Sequence, residues 1–563
     1  MTRLRMRRPA AEQRNRPGPP SDDRRRRGVP FPPLEPHAER ARRRLGTAGD
    51  GHPVVAGCLA GLAALLVSLG TLSPDAWFGD VAEFHTLAAT GGIAHAGYPA
   101  FVMLLQAFGH IPISTIAYRA NLVSALAGAL GVGLAGFAAA RLTRSMVLGA
   151  LTAIALALSL TVWYNATHAS VHAFTLPISA GLFLLALRLA RAPSAGLALG
   201  AGVLAGLGLV SHLSVLGLVP VAIATIWIVA RERRLRVAHV GAAVGGVLIG
   251  LMPLAYLLAQ DRPDQPMNYI EYNVDLGSGQ HFPVGTPRLG RVQGAIWLLS
   301  GRQYFGQSDD RPSRDLPRRL SYLALDLGAN EFPLVGLPLA ALGVWALWRR
   351  RSRIAWMLGL WLGSVLALLA WSAYPNILRS FFLPGLWAIS LFIAAGLGAI
   401  RAQSRTAAVV AGSLLVLAPI ARLQVPELPG RLAPNGSLRW EVWREWPQAW
   451  SPFRPDVTME GFGRLVMGAL KPRAVVLCTW NEGMALRYFR YADVLRADVD
   501  VVITGMNRVR VERAIVTAQQ IARPVYLTFP PASIGLDGRR VVPASGRLQG
   551  YLWAIRGPGD IAR

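Results

Sequence analysis

The residues best suited to chemistry lie close together, in the stretch Gly79 to Pro99, GDVAEFHTLAATGGIAHAGYP. It holds Asp80, Glu83, His85 and His95. Asp80 and Glu83 are three apart, so a helix starting near Gly79 puts both carboxylates on one face. Capping is the plainer use of such residues, because carboxylates favour a first helical turn. His85 and His95 add proton carriers that titrate near neutrality, and Gly91-Gly92 and Gly97-Tyr98-Pro99 offer tight turns around them. A carboxylate in such company suits general-base work on an acceptor hydroxyl, with arginines neutralising a leaving phosphate.

Candidates for the rest of the site come from distant segments. Arg119, in AYRANLVSA, stands beside this stretch; its planar fork matches phosphate oxygens, while snorkelling to a membrane boundary is the bland alternative. His168 and His172, in NATHASVHAF, are four apart and expected to share a helix face. No third ligand with fixed spacing follows, which favours hydrogen-bonded packing over a metal pair. His212, Arg302 and Tyr304 in SGRQYF, and Arg379 in YPNILRSFF repeat the theme of polar groups in apolar surroundings. Gathered at one membrane surface, these His, Arg and Tyr side chains would make a site for a lipid-linked phosphate. They are compatible with a divalent cation without demanding one, and no metal ligands are assigned.

The elements that must position these groups are membrane helices. The chain of 563 residues is 53% hydrophobic and only 16% charged, with a mean hydropathy of +0.36. A soluble domain carries about 25% charged residues. Apolar runs long enough to cross a bilayer, about 20 helical residues, account for the deficit. We place eleven spans at 52–72, 118–140, 145–164, 169–189, 195–212, 213–230, 238–259, 332–348, 354–372, 377–400 and 406–421. The run from Tyr98 to Ile113, interrupted by Gly109, His110 and Pro112, is too short and reads as interfacial or re-entrant.

Charge supports that count. Taking the chain outward first makes RLTR (141–144), RLARAPS (188–194), RERRLR (231–236), RRRSR (349–353) and RAQSR (401–405) cytoplasmic, and all are basic. The opposite turns YNATH (164–168), VSH (210–212) and YPN (374–376) carry no Lys or Arg, as orientation by positive charge requires. The net charge of +27 thus reflects membrane orientation more than nucleic-acid binding. Residues 1–50 form a Pro- and Arg-rich cytoplasmic tail that cannot bury enough surface to fold. The expected organisation is this tail, a transmembrane domain at 51–421 with outer loops 73–117 and 260–331, and an extracytoplasmic domain at 422–563. In the last, strands at 474–479, 499–504 and 525–528 alternate with helices at 484–495 and 511–521, suggesting a small α/β fold. Trp480, Asn481 and Glu482 follow its first strand where a glycine-rich phosphate loop would stand. The two cysteines, Cys58 and Cys478, are expected to stay unpaired.

The stretch GDVAEFHTLAATGGIAHAGYPAFVMLLQAF followed by AYRANLVSALAGAL resembles the start of a bacterial family of polytopic membrane proteins related to the transmembrane protein O-mannosyltransferase, within the GT-C glycosyltransferase superfamily. The family pattern is Asp-x-x-Glu-Phe, a His-Pro-Pro-Gly-Tyr-Pro turn, then Tyr-Arg-x-Asn-Leu-x-Ser. Asp80, Glu83 and Phe84 match the first element; His95, Gly97, Tyr98 and Pro99 the second; Tyr118, Arg119, Asn121, Leu122 and Ser124 the third. Weaker echoes run to residue 505. The resemblance implies a multi-pass cell-membrane glycosyltransferase with Asp80 as leading base and Glu83 second. The donor would be a sugar on polyprenyl phosphate, mannose among the possibilities, and the acceptor an extracytoplasmic protein hydroxyl or envelope glycan. His85, His95, Tyr98, Arg119, Asn121, His172, His212, Arg302, Tyr304 and Arg379 become substrate contacts. Two departures stand out: the turn His95-Ala96-Gly97 is one residue short and lacks both prolines, and Ser170-Val171-His172 replaces a common Glu-Val-Tyr. A transporter or lipid flippase and a non-catalytic envelope assembly protein are the alternatives, but no internal repeat supports the transporter.

Overall fold

The computed structural model describes residues 52–262, 264–270, 290–301, 316–371, 378–423, 458–536 and 541–556. The basic tail, Arg302 and Tyr304 lie outside the described residues, as does the side chain of Arg379. Within them the chain is a bundle of apolar helices carrying a small α/β layer.

Helix α1 (Pro53–Gly70) leads into α2 (Gly79–Thr90) and α3 (Pro99–Gly109), and α4 (Ile116–Thr143) follows. The next apolar run is broken into α5 (Met146–Ala157) and α6 (Leu160–Thr167), bent by 67°. Then come α7 (Val171–Arg191), α8 (Ala195–Leu209), a 3-10 turn at Leu213–Leu218 leading into α9 (Val219–Arg231), α10 (Val237–Gly250) and α11 (Pro253–Gln260). Helices α12 (Arg291–Leu299), α13 (Leu316–Asp326), α14 (Gly336–Arg349), α15 (Arg353–Trp371), α16 (Leu378–Phe381), α17 (Leu383–Gln403) and α18 (Arg405–Leu423) complete the bundle. Among the described residues seven helical segments are long and apolar enough to cross a membrane, or up to nine if each bent pair is one span. The shorter apolar helices α8 and α18 stand at two further expected spans. Helix α3, with 11 residues, cannot cross by itself.

Small residues let the helices close on one another, since lipid supplies no hydrophobic drive between them. Gly202 and Gly206 of α8 face Gly246 and Gly250 of α10, and a Cβ on Gly202 would lie 2.1 Å from the carbonyl oxygen of Ala243. The large central core centres on α17, whose Trp387 is fully buried and donates from Nε1 to the Gly131 carbonyl of α4 at 3.0 Å.

The chain ends in α19 (Thr458–Ala469), β1 (Val475–Cys478), α20 (Trp480–Tyr491), β2 (Asp500–Ile503), α21 (Arg508–Gln520), β3 (Val525–Leu527), β4 (Val541–Pro543) and β5 (Trp553–Ile555). The sheet order is β2-β1-β3-β5-β4, with β1 parallel to both neighbours and β5 antiparallel to β3 and β4. Alternation along β1 sends Val476 and Cys478 to one core, with Tyr488 and Phe489 of α20, and Val475 and Leu477 to the other, with Val511 and Ile515 of α21. The antiparallel pair β4–β5 was not expected from the sequence. Helix α20 begins at Trp480, four residues before the expected start. Both cysteines are free.

This layer lies directly on α2. Met484, Ala485 and Ile503 share a core with Ala82, Phe84, Leu87 and Tyr98, so α20 forms one wall of the candidate site.

Candidate active site

Helix α2 starts at Gly79, as its sequence requires: Gly79 has a φ of +57° and the Asn481 side chain comes within 2.8 Å of where a Cβ would be. The carboxylates that follow have opposite fates. The Asp80 side chain is 57% exposed and that of Glu83 is fully buried. Spacing put them on one flank of the helix, but the covering turn closes over Glu83 alone.

That turn is Ala94–Gly97, closed by the Gly97 N–H to the Ala94 carbonyl at 2.9 Å, with Gly97 at a φ of +87°. It needs neither of the prolines seen in the related pattern. It delivers His95 to Glu83 twice over: the His95 backbone N–H donates to Glu83 Oε1 at 2.8 Å and its Nδ1 lies 2.5 Å from Oε2. Its Nε2 is 3.7 Å from Asp80 Oδ2. Burial alone would hold the imidazole down, but the charges of Asp80 and Glu83 and the bond to Glu83 prevail and raise it from 6.5 to about 9. His95 is therefore an imidazolium at neutral pH, set between an exposed and a buried carboxylate.

Aromatic rings enclose it. His95 meets Tyr98, Tyr269 and Trp480 edge-on with centroids 5.3, 6.2 and 5.9 Å away. Trp480 Nε1 donates to Asp80 Oδ1 at 2.8 Å. Tyr98 holds a left-handed conformation, φ 48°, uncommon for a non-glycine residue and enforced by its buried packing. Its ring stacks on His212 at 5.8 Å. His212 in turn meets His172 at 4.5 Å, and Phe381 touches both, at 4.8 and 4.9 Å. The Ser214 backbone N–H donates to His212 Nδ1 at 3.1 Å, so a neutral His212 carries its proton on Nε2. A continuous row thus runs from Asp80 and His95 through Tyr98 and His212 to His172, ending near α16, which carries Arg379.

Three expected site residues are engaged elsewhere. Arg119 spends its fork on main chain: Nη1 donates to the Gly109 and Ile111 carbonyls at 2.6 and 2.7 Å, and Nε to Thr115 at 3.1 Å. It ties down the end of α3 rather than presenting that fork to a ligand. Asn121 is a buried hub whose Oδ1 accepts from His85 Nε2 at 2.8 Å and the Ala169 N–H at 2.6 Å, while Nδ2 donates to the Ser73 carbonyl at 2.8 Å. His85 is fully buried beside it, and burial lowers it to about 4 against the opposing bond from Asn121. It is neutral and turned into the core. His168 and His172 do not share a helix, because α6 ends at Thr167 and α7 starts at Val171; His168 packs on Trp77 at 4.4 Å. Among the described residues no group of three or more His, Cys, Asp or Glu is arranged to hold a metal ion. The sequence reading missed Trp480 and Tyr269, which reach the site from segments remote in sequence, and Phe381.

The overall fold is like that of ArnT. The crystal structure of ArnT from Cupriavidus metallidurans bound to undecaprenyl phosphate superposes with a TM-score of 0.54 at 13% identity, over 88% of this chain and 97% of that one. The apo state of the same protein gives 0.53 at 13% identity, with the same coverage. Residues 80–236, from Asp80 onward, match the family model described as the protein O-mannosyl-transferase TMEM260 N-terminal domain. No curated protein matches it in sequence.

Proposed function

We propose that the protein is a multi-pass membrane glycosyltransferase that moves a sugar, mannose foremost, from a polyprenyl-phosphate donor to a hydroxyl of an extracytoplasmic protein or glycan. The acceptor oxygen attacks the anomeric carbon, its proton passes to Asp80, and the sugar–phosphate bond breaks with its electron pair going to polyprenyl phosphate. One base and one direct displacement invert the sugar carbon, so a second nucleophilic carboxylate is not needed. Glu83, with both oxygens held by His95, orients that imidazolium, which in turn stands beside Asp80 Oδ2 and helps keep the carboxylate in place.

The observation that carries this reading is the exposed carboxylate of Asp80 backed by a buried Glu83–His95 pair, at the head of a domain related to O-mannosyltransferases. The ArnT-like fold, seen in that protein with undecaprenyl phosphate bound, supports a lipid-phosphate donor. The row Tyr98, His212 and His172 is assigned here to its phosphate. Basic turns at 141–144 and 231–236 favour a cytoplasmic N-terminus and an extracytoplasmic site. Membranes containing the protein should release radiolabelled mannose from polyprenyl-phosphate mannose onto an acceptor fraction, and membranes lacking it should not. Movement of the labelled lipid between leaflets without transfer would favour the flippase reading instead.

A further inference from the structure

The α/β layer has a topology with a consequence for the site beneath it. Strand β1 is flanked on one side by β2 and on the other by β3, both parallel to it. The chain leaves β1 in one direction and returns on the opposite side, so the carboxyl ends of β1 and β3 border the crevice where open α/β sheets bind ligands. Here β1 passes through Thr479 straight into the first turn of α20, Trp480-Asn481-Glu482, which is directed at α2. Trp480 gives its one donor to Asp80 Oδ1 at 2.8 Å and lies edge-on to Tyr269 at 5.8 Å. Asn481 reaches over Gly79, where a Cβ would lie 2.8 Å from its Oδ1. Behind this contact Met484, Ala485 and Ile503 are packed into the core of α2.

An exposed carboxylate in the first turn of a helix samples several rotamers. Asp80 is instead held at both oxygens, Oδ1 by the indole and Oδ2 beside His95. We propose that Trp480 is a positioning residue of the transfer reaction, and that the α/β layer thereby supplies an obligatory part of the active site. The indole N–H fixes Asp80 with one oxygen occupied, so that the other is presented to the acceptor hydroxyl next to His95. The bond is charge-assisted and links residues 400 apart in sequence. It makes the catalytic base competent only when the α/β layer is seated. This inference rests on Asp80 being the base.

The test uses the full chain in native-like membranes and the substitution Trp480→Phe, which keeps an apolar ring and removes the N–H. Expected is a fall in kcat of about ten- to hundredfold, as for losing a hydrogen bond to a charged group, with KM for polyprenyl-phosphate mannose within about twofold. The thermal unfolding midpoint should stay at the wild-type value. A purely structural role would give the reverse pattern: a lower midpoint and an unchanged kcat per folded molecule. Either that pattern or a wild-type kcat overturns the proposal. Asp80→Asn is measured alongside. If it is inactive while Trp480→Phe is unimpaired, only the positioning role fails; if Asp80→Asn itself transfers at the wild-type rate, the base assignment falls and the positioning role with it.

Discussion

The buried Glu83–His95 pair makes a prediction whose size can be worked out from the structure. Glu83→Gln keeps the side-chain shape but removes the charge that faces His95 Nδ1 at 2.5 Å. Raising His95 from 6.5 to about 9 corresponds to about 3 kcal/mol of preference for the imidazolium at 1.36 kcal/mol per pH unit. Asp80 and Glu83 share that effect against the cost of burial, so removing Glu83 should return His95 by about one to two pH units. If transfer needs the imidazolium, the alkaline limb of kcat/KM, near pH 9 in the wild type, should move down by that amount. At pH 8.5 the variant should then lose about three- to twenty-fivefold in rate, and at pH 6 far less. Stability should show the same sign. A group raised on folding stabilises fully below its unfolded value, here 6.5, and that contribution fades as pH rises through about 9. The wild-type unfolding midpoint should therefore fall between pH 6.5 and 9 more steeply than that of Glu83→Gln. The assay is transfer of labelled mannose from pH 5.5 to 9.5, paired with thermal unfolding in detergent. An alkaline limb that stays put in the variant refutes the coupling between Glu83 and His95.

Two further substitutions separate scaffold from site. Arg119→Lys replaces a fork that serves three carbonyls with a single ammonium; stability should drop by about 1–3 kcal/mol with kcat per folded molecule unchanged, read by thermal unfolding and active-site-normalised rates. A loss of donor affinity without loss of stability would instead put Arg119 on the phosphate. Asn121→Ala strands the buried His85 Nε2, the Ala169 N–H and the Ser73 carbonyl together and should cost about 2–4 kcal/mol, seen as poor yield of folded protein.

The membrane fold was legible because span length and hydropathy are set by the bilayer, and loop charge by orientation. The breaks were not legible. The bend at Leu158–Ser159 and the 3-10 entry into α9 interrupt runs that are apolar throughout, and periodicity gives no sign of them. The α/β layer was read to within a residue or two in its central strands. The start of α20 was missed, although Thr479 and Glu482 stand at capping-box spacing, Thr-x-x-Glu, and their side chains do meet. In the site, Asp80, Glu83 and His95 were visible as a cluster of residue types. What spacing could not decide was which carboxylate is covered, because that depends on a turn 12 residues on and a tryptophan 400 residues on. Arg119 misled for a related reason: carbonyls left over at the end of α3 claim its donors, and nothing local in the sequence announces them.

The central claim is that Asp80 takes the acceptor proton. The direct measurement is transfer of labelled mannose from polyprenyl-phosphate mannose by Asp80→Asn, purified and shown to unfold at the wild-type midpoint. A lost general base should lower kcat by about 10²- to 10⁴-fold with donor binding retained. Undiminished transfer by that variant would contradict the account.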